Sequence, residues 1–294
     1  MNQTVHHVLR SSMRVSEILR YHFRFTEDRI ATTLQLGAIY KGEERVFKDM
    51  QVKTGGHLII HLNPHRFPVA DIDWKACVIA SEPDFLVVRK PGGVPVHGTQ
   101  DNATENVLEQ MRTAVGSELS MTQRLDTPVS GLMVLAKTRF FQEYFNGLLR
   151  EGKVEKTYKA LTLKAPPIGI HTHFMVDKPT RRKRIKTEGG PGLLECRLEV
   201  VNVVSLRDPQ SGTPFFEVEV RPLSGRTHQI RAQLSALGCP IMADSLYEYK
   251  GPRISWSPRR EIGLFSHRLK FNLPDMKTAE FEAPCPWEKI LQPV

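Results

Sequence analysis

Asp126 stands where a carboxylate is hard to place. It lies in QRLDTPVSGLMVLAKT, residues 123–138, just ahead of the apolar run Leu132 to Ala136, which reads as a buried strand. An ionised carboxylate beside such a strand is costly unless it is paired. Two readings fit. One is a structural aspartate, bridged to a nearby arginine such as Arg124 or shaping the Thr-Pro-Val-Ser-Gly loop. The other is a carboxylate kept ionised for nucleophilic or base chemistry. A second stretch, PLSGRTHQIRAQLSALGCPIMAD at residues 222–244, supplies candidate cations. Thr227 is placed to cap a helix whose buried face carries Ile230, Leu234 and Leu237, with Gly238 closing it. The helix start gathers Arg226, His228 and free backbone N–H groups, which suits a phosphate or a carboxylate, although a solvated basic helix end reads equally plainly. A third stretch, DFLVVRKPGGVPVHG at 84–98, reads as a buried strand and a Pro-Gly-Gly tight turn rather than a phosphate cradle.

Histidines invite a metal reading that the spacing does not support. His57, His61 and His65 recur every four residues, but HLIIHLNP reads as a strand ending at a turn, so they would not converge on one ion. His171 and His173 can point the same way from a strand, yet no carboxylate–histidine cluster accompanies them. The expectation is no metal site.

These stretches need elements to carry them. Residues 1–65 read as a self-contained α/β segment. A helix near 14–23 buries Val15, Ile18 and Leu19, and a second follows in EDRIATTLQLGAIY with Glu27 and Asp28 in its first turn and Gly37 at its end. Short strands follow, with turns at Gly42 and Gly55-Gly56. Pro64 and Pro68 mark a linker over 66–74. Residues 75–294 then alternate short strands with a few helices, an α+β pattern.

A chain of 294 residues with 40% hydrophobic and 25% charged residues is ordinary for globular domains and needs no disulfide to fold. Cys77, Cys196, Cys239 and Cys285 lie far apart with no C-x-x-C pair, so they read as reduced thiols. Lys and Arg total 41 against 32 Asp and Glu, a net charge of +9, which favours a polyanionic partner. No apolar run approaches the ~20 residues of a membrane span. The opening MNQTVHHVLRSSMRVSEILRYHFRF lacks an apolar signal core and reads as a basic folded helix more readily than as a transit peptide. The expectation is a cytoplasmic monomer without a membrane partner.

Taken together, the three stretches resemble the RluA-type family of RNA pseudouridine synthases. The family's His-Arg-Leu-Asp-x-x-Thr-Ser-Gly appears as Gln123 to Gly131, its Lys-x-Tyr-x-Ala as Lys156 to Ala160, and its Gly-Arg-Thr-His-Gln-Ile-Arg intact at Gly225 to Arg231. Residues 84–98 also match, as do Gly238, Pro240, Ile241 and Asp244, and IGLFSHRLKF at 262–271 is similar to the final strand. The resemblance spans about 84–271 in the expected order. Gln123 and Val129 depart from the usual His and Thr, and Phe265-Ser266 from a common His-Ala pair.

The resemblance implies a mixed, mainly antiparallel sheet with a central cleft, and an isomerisation of uridine to pseudouridine in ribosomal or transfer RNA without a cofactor or metal. It implies that Asp126 is the catalytic carboxylate, that Arg226 pairs with it, and that Tyr158 stacks on the target base and assists at C5. It further implies that Leu264 packs the base's other side and that Arg124, His228 and Arg231 contact substrate. More loosely, the first 65 residues are similar to an S4-like RNA-binding domain. The run KPTRRKRIK at 178–186 then reads as a phosphate-contacting loop rather than a solvated charge run. A non-catalytic RNA-binding or assembly factor is the competing reading.

Overall fold

Val15, Ile18 and Leu19, spaced three and four apart, do lie on the buried stripe of a helix, Val15–Phe23, in a computed structural model that describes residues 3–176, 178, 180–252 and 261–294. Glu17 accepts the Arg14 backbone N–H at 2.7 Å at the helix start, and Arg24 in the left-handed region ends it. The second helix, Glu27–Gln35, is capped by Thr26, whose hydroxyl accepts the Arg29 N–H. Gly37, at φ +61, turns the chain out of it. Four antiparallel strands follow the order Thr4–Val8, His57–His61, Ile39–Lys41 and Glu44–Arg45. Their Ile39, Leu58 and Ile60 share a core with the buried faces of both helices.

Two compact units divide the chain: residues 1–72 with 94–116, and 73–93 with 117–294. The expected division at 66–74, with everything from 75 onward in one catalytic domain, is therefore revised. Residues 94–116 belong to the first unit because their polar groups are bound there. The Asp101 carboxylate accepts the His65 backbone N–H at 2.8 Å, and Glu105 accepts from Arg66 and from the Phe67 N–H. The Ala103 N–H donates to the Leu36 carbonyl at 2.8 Å, and the Tyr40 hydroxyl to the Gln100 carbonyl at 2.8 Å. Arg66 and Phe67, expected as linker, are thus anchored.

The second unit is built on one large sheet, mixed and mainly antiparallel as expected. From one edge its strands run Ile185–Lys186, Gly169–Val176, Leu193–Arg207, Pro214–Pro222, Glu155–Thr162, Leu264–Asn272, Ser130–Ala136, Phe85–Lys90 and Val78–Ser81. Only the contact of Ser130–Ala136 with Leu264–Asn272 is parallel among these neighbours. Every residue of Ser130–Ala136 is buried, which explains the unbroken apolar run from Leu132 to Ala136. The helix Arg139–Arg150, capped by Thr138, adds Phe141 and Phe145 to a core shared with Phe85, Val87, Leu132 and Val134. No helix among the described residues is long and apolar enough to cross a membrane.

Candidate active site

The loop bearing Asp126 enters the central strand Ser130–Ala136 at Gly131, and that glycine is required there. Its φ is +115, and a Cβ would lie 2.4 Å from both the N and the O of Ser266 on the neighbouring strand. The loop closes on itself through the Val129 N–H to the Asp126 carbonyl at 3.0 Å. It is also hung from Lys90, the last residue of its strand. The Lys90 ammonium is fully buried and donates to the carbonyls of Pro91 (2.9 Å), Thr127 (3.1 Å) and Val129 (2.7 Å), so each of its three protons has an acceptor. Burial pulls its pKa down to about 7, against the opposing charges of Glu261 and Asp126.

The Asp126 carboxylate meets Arg231, not Arg226. Arg231 Nη1 donates to Asp126 Oδ2 at 2.9 Å. The same guanidinium holds Asp244 through Nε at 2.7 Å and Nη2 at 2.9 Å, a bidentate pair with both side chains at most 5% exposed. Burial works against the Arg231 charge, but the Asp244 bond and charge, then Asp126, outweigh it and raise its pKa. Asp126 itself keeps 22% of its side chain exposed, and its Oδ1 has no hydrogen-bond partner among the described residues.

The expected pairing with Arg226 fails because the helix starts later than its sequence indicates. His228, in the left-handed region at φ +59, is the residue before the helix Gln229–Ala236, and Thr227 caps nothing. Arg226 lies in the turn ahead of it, exposed, with its backbone N–H on Gln229 Oε1 at 3.0 Å. Arg231 is in the first turn of the helix and is buried. Both arginines belong to one short motif, and only the helix phase separates them.

His228 Nε2 lies 3.6 Å from Asp126 Oδ2, and its Nδ1 lies 3.0 Å from the Tyr247 hydroxyl. That hydroxyl accepts the Lys183 N–H at 2.9 Å and keeps its own proton to give to Nδ1; in that tautomer the ring proton sits on Nε2, facing Asp126. Burial lowers the His228 pKa, with Arg231 acting the same way and Asp126 opposing, which favours the neutral ring. Tyr247 also lies under the Arg231 guanidinium, 5.1 Å from ring centroid to Cζ.

Tyr158 and Leu264 are buried on adjoining strands. Burial, with the Asp126 charge, pushes the Tyr158 phenol up to about 12 against a nearby Ser266 hydroxyl, so it stays protonated at neutral pH. Arg124 is exposed, and no described ion pair joins it to Asp126, which removes the structural-bridge reading between those two. Gln123, at the position of the usual His, has a buried Nε2 without a hydrogen-bond partner. Reasoning from sequence misses the parts that Lys90, Asp244 and Tyr247 play. The one signal for them is a second basic residue, after Arg89, closing the apolar run Phe85 to Val88.

Outside this site, His267, Cys285 and Glu288 bring ligand-type atoms within 4.8 Å of one another. The Lys159 ammonium, 3.2 Å from Glu288 and 3.2 Å from Glu217, already supplies the cation there, and burial raises the Cys285 thiol pKa well above its usual value.

With this geometry in place, comparison decides the family. The pattern of the RNA pseudouridylate synthase family matches residues 84–236, which contain Lys90, Asp126, Tyr158 and Arg231. The chain belongs to that family. Rice (Oryza sativa subsp. japonica) has a relative named "RNA pseudouridine synthase 6, chloroplastic", 35% identical over 219 residues, covering 68% of this chain and 46% of the relative. The Saccharomyces cerevisiae "tRNA pseudouridine(32) synthase, mitochondrial" is 28% identical over 217 residues, covering 73% and 46%. The chain thus spans about half the length of these curated relatives. The solved structure of "Human RNA Pseudouridylate Synthase Domain Containing 1" superposes with a TM-score of 0.60 at 23% identity, covering 74% of this chain and 88% of the human one, and shows the shared fold. The synthase-family match runs through both sides of the Asp126–Arg231 pair, which lie 105 residues apart.

Proposed function

We propose that the protein isomerises uridine to pseudouridine in ribosomal or transfer RNA, with Asp126 acting on the ribose. The supporting observation is a carboxylate held by a buried arginine through one oxygen, while its other oxygen makes no described hydrogen bond and the side chain keeps 22% of its surface exposed. Arg231 supplies the buried counter-charge that a carboxylate in a largely closed setting requires. The free oxygen serves either route to breaking the C1′–N1 bond: attack on C1′, or removal of a ribose proton. After the uracil turns, C5 joins C1′ and its hydrogen leaves. Tyr158, protonated at neutral pH, would relay that proton by handing its own in the same step to a second acceptor, either water or the Asp126 carboxylate freed once C5 has joined C1′. The target base would leave its stack, which is easiest in loops and bulges.

The basic run at 178–186 supports an RNA substrate. Its Pro179 lies outside the described residues. Arg182 pairs with Glu248 at 2.7 Å, and the Lys183 N–H reaches Tyr247, so the run is joined to the floor of the site. Phosphates flanking a target uridine would meet these cations. We take the first unit to be an RNA-holding module of S4-like character and the protein to act as a cytoplasmic monomer. The decisive assay is release of hydrogen from RNA labelled at uridine C5. Release with formation of pseudouridine is the expected result; binding without release would leave an RNA-binding factor.

A further inference from the structure

Ser266, wholly buried between Gly131 and Tyr158, holds a hydroxyl that no described residue fully engages. It is 0% exposed, and its Oγ has no hydrogen-bond partner in good geometry among the described residues. Buried hydroxyls are normally satisfied, so an exception asks for an explanation.

The strands fix where that hydroxyl lies. In the antiparallel register Tyr158 pairs with Ser266 and Ala160 with Leu264, after an irregularity between Thr157 and Tyr158. Directly paired residues put their side chains on the same face, so Tyr158 and Ser266 stand side by side. From the other neighbouring strand Gly131 presses on the Ser266 backbone, leaving room for no Cβ of its own. Ser266 is thereby clamped between the strand that follows the Asp126 loop and the strand that carries Tyr158. Its hydroxyl is close enough to the phenol to favour the phenolate against burial.

We propose that Ser266 is a positioning residue for Tyr158: its hydroxyl takes the phenol's hydrogen bond once a uridine fills the site, and so fixes where the phenol can pass or receive a proton. This rests on the isomerase reading of Asp126 and Tyr158. The two hydroxyls adjoin without a well-formed hydrogen bond, and a base seated against Tyr158 would bring them together. The phenol then works from one orientation instead of several.

The experiment is a double-mutant cycle on the full chain, read by single-turnover rates at saturating RNA, RNA affinity and melting temperature. Ser266→Ala is expected to slow the rate by roughly five- to tenfold, the scale of one hydrogen bond removed. RNA affinity should stay within about twofold, and melting should be no lower than wild type, because an unsatisfied buried hydroxyl has been removed. Ser266→Thr, which keeps the hydroxyl, should recover most of the rate. In a Tyr158→Phe background, Ser266→Ala should add nothing. A Ser266→Ala rate equal to wild type overturns the proposal, as does a threonine variant no faster than alanine. A full effect persisting without the Tyr158 hydroxyl also overturns it, since the serine would then act on the base directly. A wild-type protein that releases no C5 hydrogen while Asp126→Asn matches it would instead reject the isomerase reading.

Discussion

Arg231 gives one nitrogen to Asp126, at 2.9 Å, and two to Asp244, at 2.7 and 2.9 Å. The division matters because Asp244 is buried and Asp126 is partly open. Asp244 fixes the plane and position of the guanidinium; Asp126 then binds to a cation already in place. A point charge could neutralise Asp126, but it could not be oriented by Asp244 in this way.

Asp126→Asn should therefore abolish catalysis while the fold and RNA affinity survive. The amide keeps the shape but loses the anion, and Arg231 remains satisfied by Asp244. Single-turnover release of C5 hydrogen should fall by at least about a thousandfold, the scale of a missing catalytic group. A variant within tenfold of wild type would refute the role given to Asp126.

Arg231 and Arg226 should behave oppositely, although they sit five residues apart. Arg231→Lys keeps the charge but cannot hold Asp244 with two nitrogens and Asp126 with a third. Its single-turnover rate should fall by about a hundredfold, and its stability by roughly 2 kcal/mol from the broken buried bonds. Arg226→Ala should leave the saturating rate unchanged and weaken RNA binding by less than about tenfold through removal of one exposed cation. Equal rate losses in the two variants would restore Arg226 to the site.

The sequence made the fold class and the central carboxylate legible for different reasons. The Leu132–Ala136 run and the Val15, Ile18, Leu19 stripe are local patterns, and burial alone explains them. Asp126 stands out because a charge before a buried strand needs a partner. Which arginine answers depends on a left-handed His228 that delays the helix, and local propensity favours Thr227 as the cap instead. The assignment of 94–116 to the first unit is equally hidden. It depends on Asp101, Asn102 and Glu105 meeting backbone groups 36 to 38 residues away, and no hydrophobic period records such contacts.

Lys90 should make stability depend on pH in an identifiable window. Its pKa is about 7 in the folded protein against an ordinary value of 10.5. Between those values the unfolded chain binds the proton that the folded chain gives up, so stability rises with pH through the window. Below pH 7 both states are charged and the full burial penalty applies. Lys90→Met removes that contribution and also releases the carbonyls of Pro91, Thr127 and Val129. Urea midpoints from pH 7 to 10 should climb more steeply for wild type than for the methionine variant. The variant should also lose activity, because its Asp126 loop is no longer tethered. Parallel pH profiles would show that Lys90 keeps an ordinary pKa.

The last prediction concerns how the first unit holds RNA. Cutting the chain near residue 70 would be an unclean test, because residues 94–116 would be stripped of Leu36, Tyr40, His65 and Arg66 as partners. Point changes avoid this. Of the basic residues around the first helix, Arg14 is paired with Asp49 at 2.7 Å and Arg20 with Glu27 at 2.6 Å. Arg10 and Arg24 are exposed and make no described ion pair, so they are the cations with charge to spare for phosphate. Arg10→Ala with Arg24→Ala should weaken RNA binding and lower the slope of log affinity on log salt by about 0.7–0.9 for each phosphate no longer neutralised. The saturating single-turnover rate should not change, since Asp126, Tyr158 and Arg231 belong to the other unit. Filter binding across a salt series, beside single-turnover kinetics, measures both quantities on one preparation. An unchanged slope would mean that this surface does not contact RNA, and a slowed rate at saturation would mean that the first unit does more than hold it.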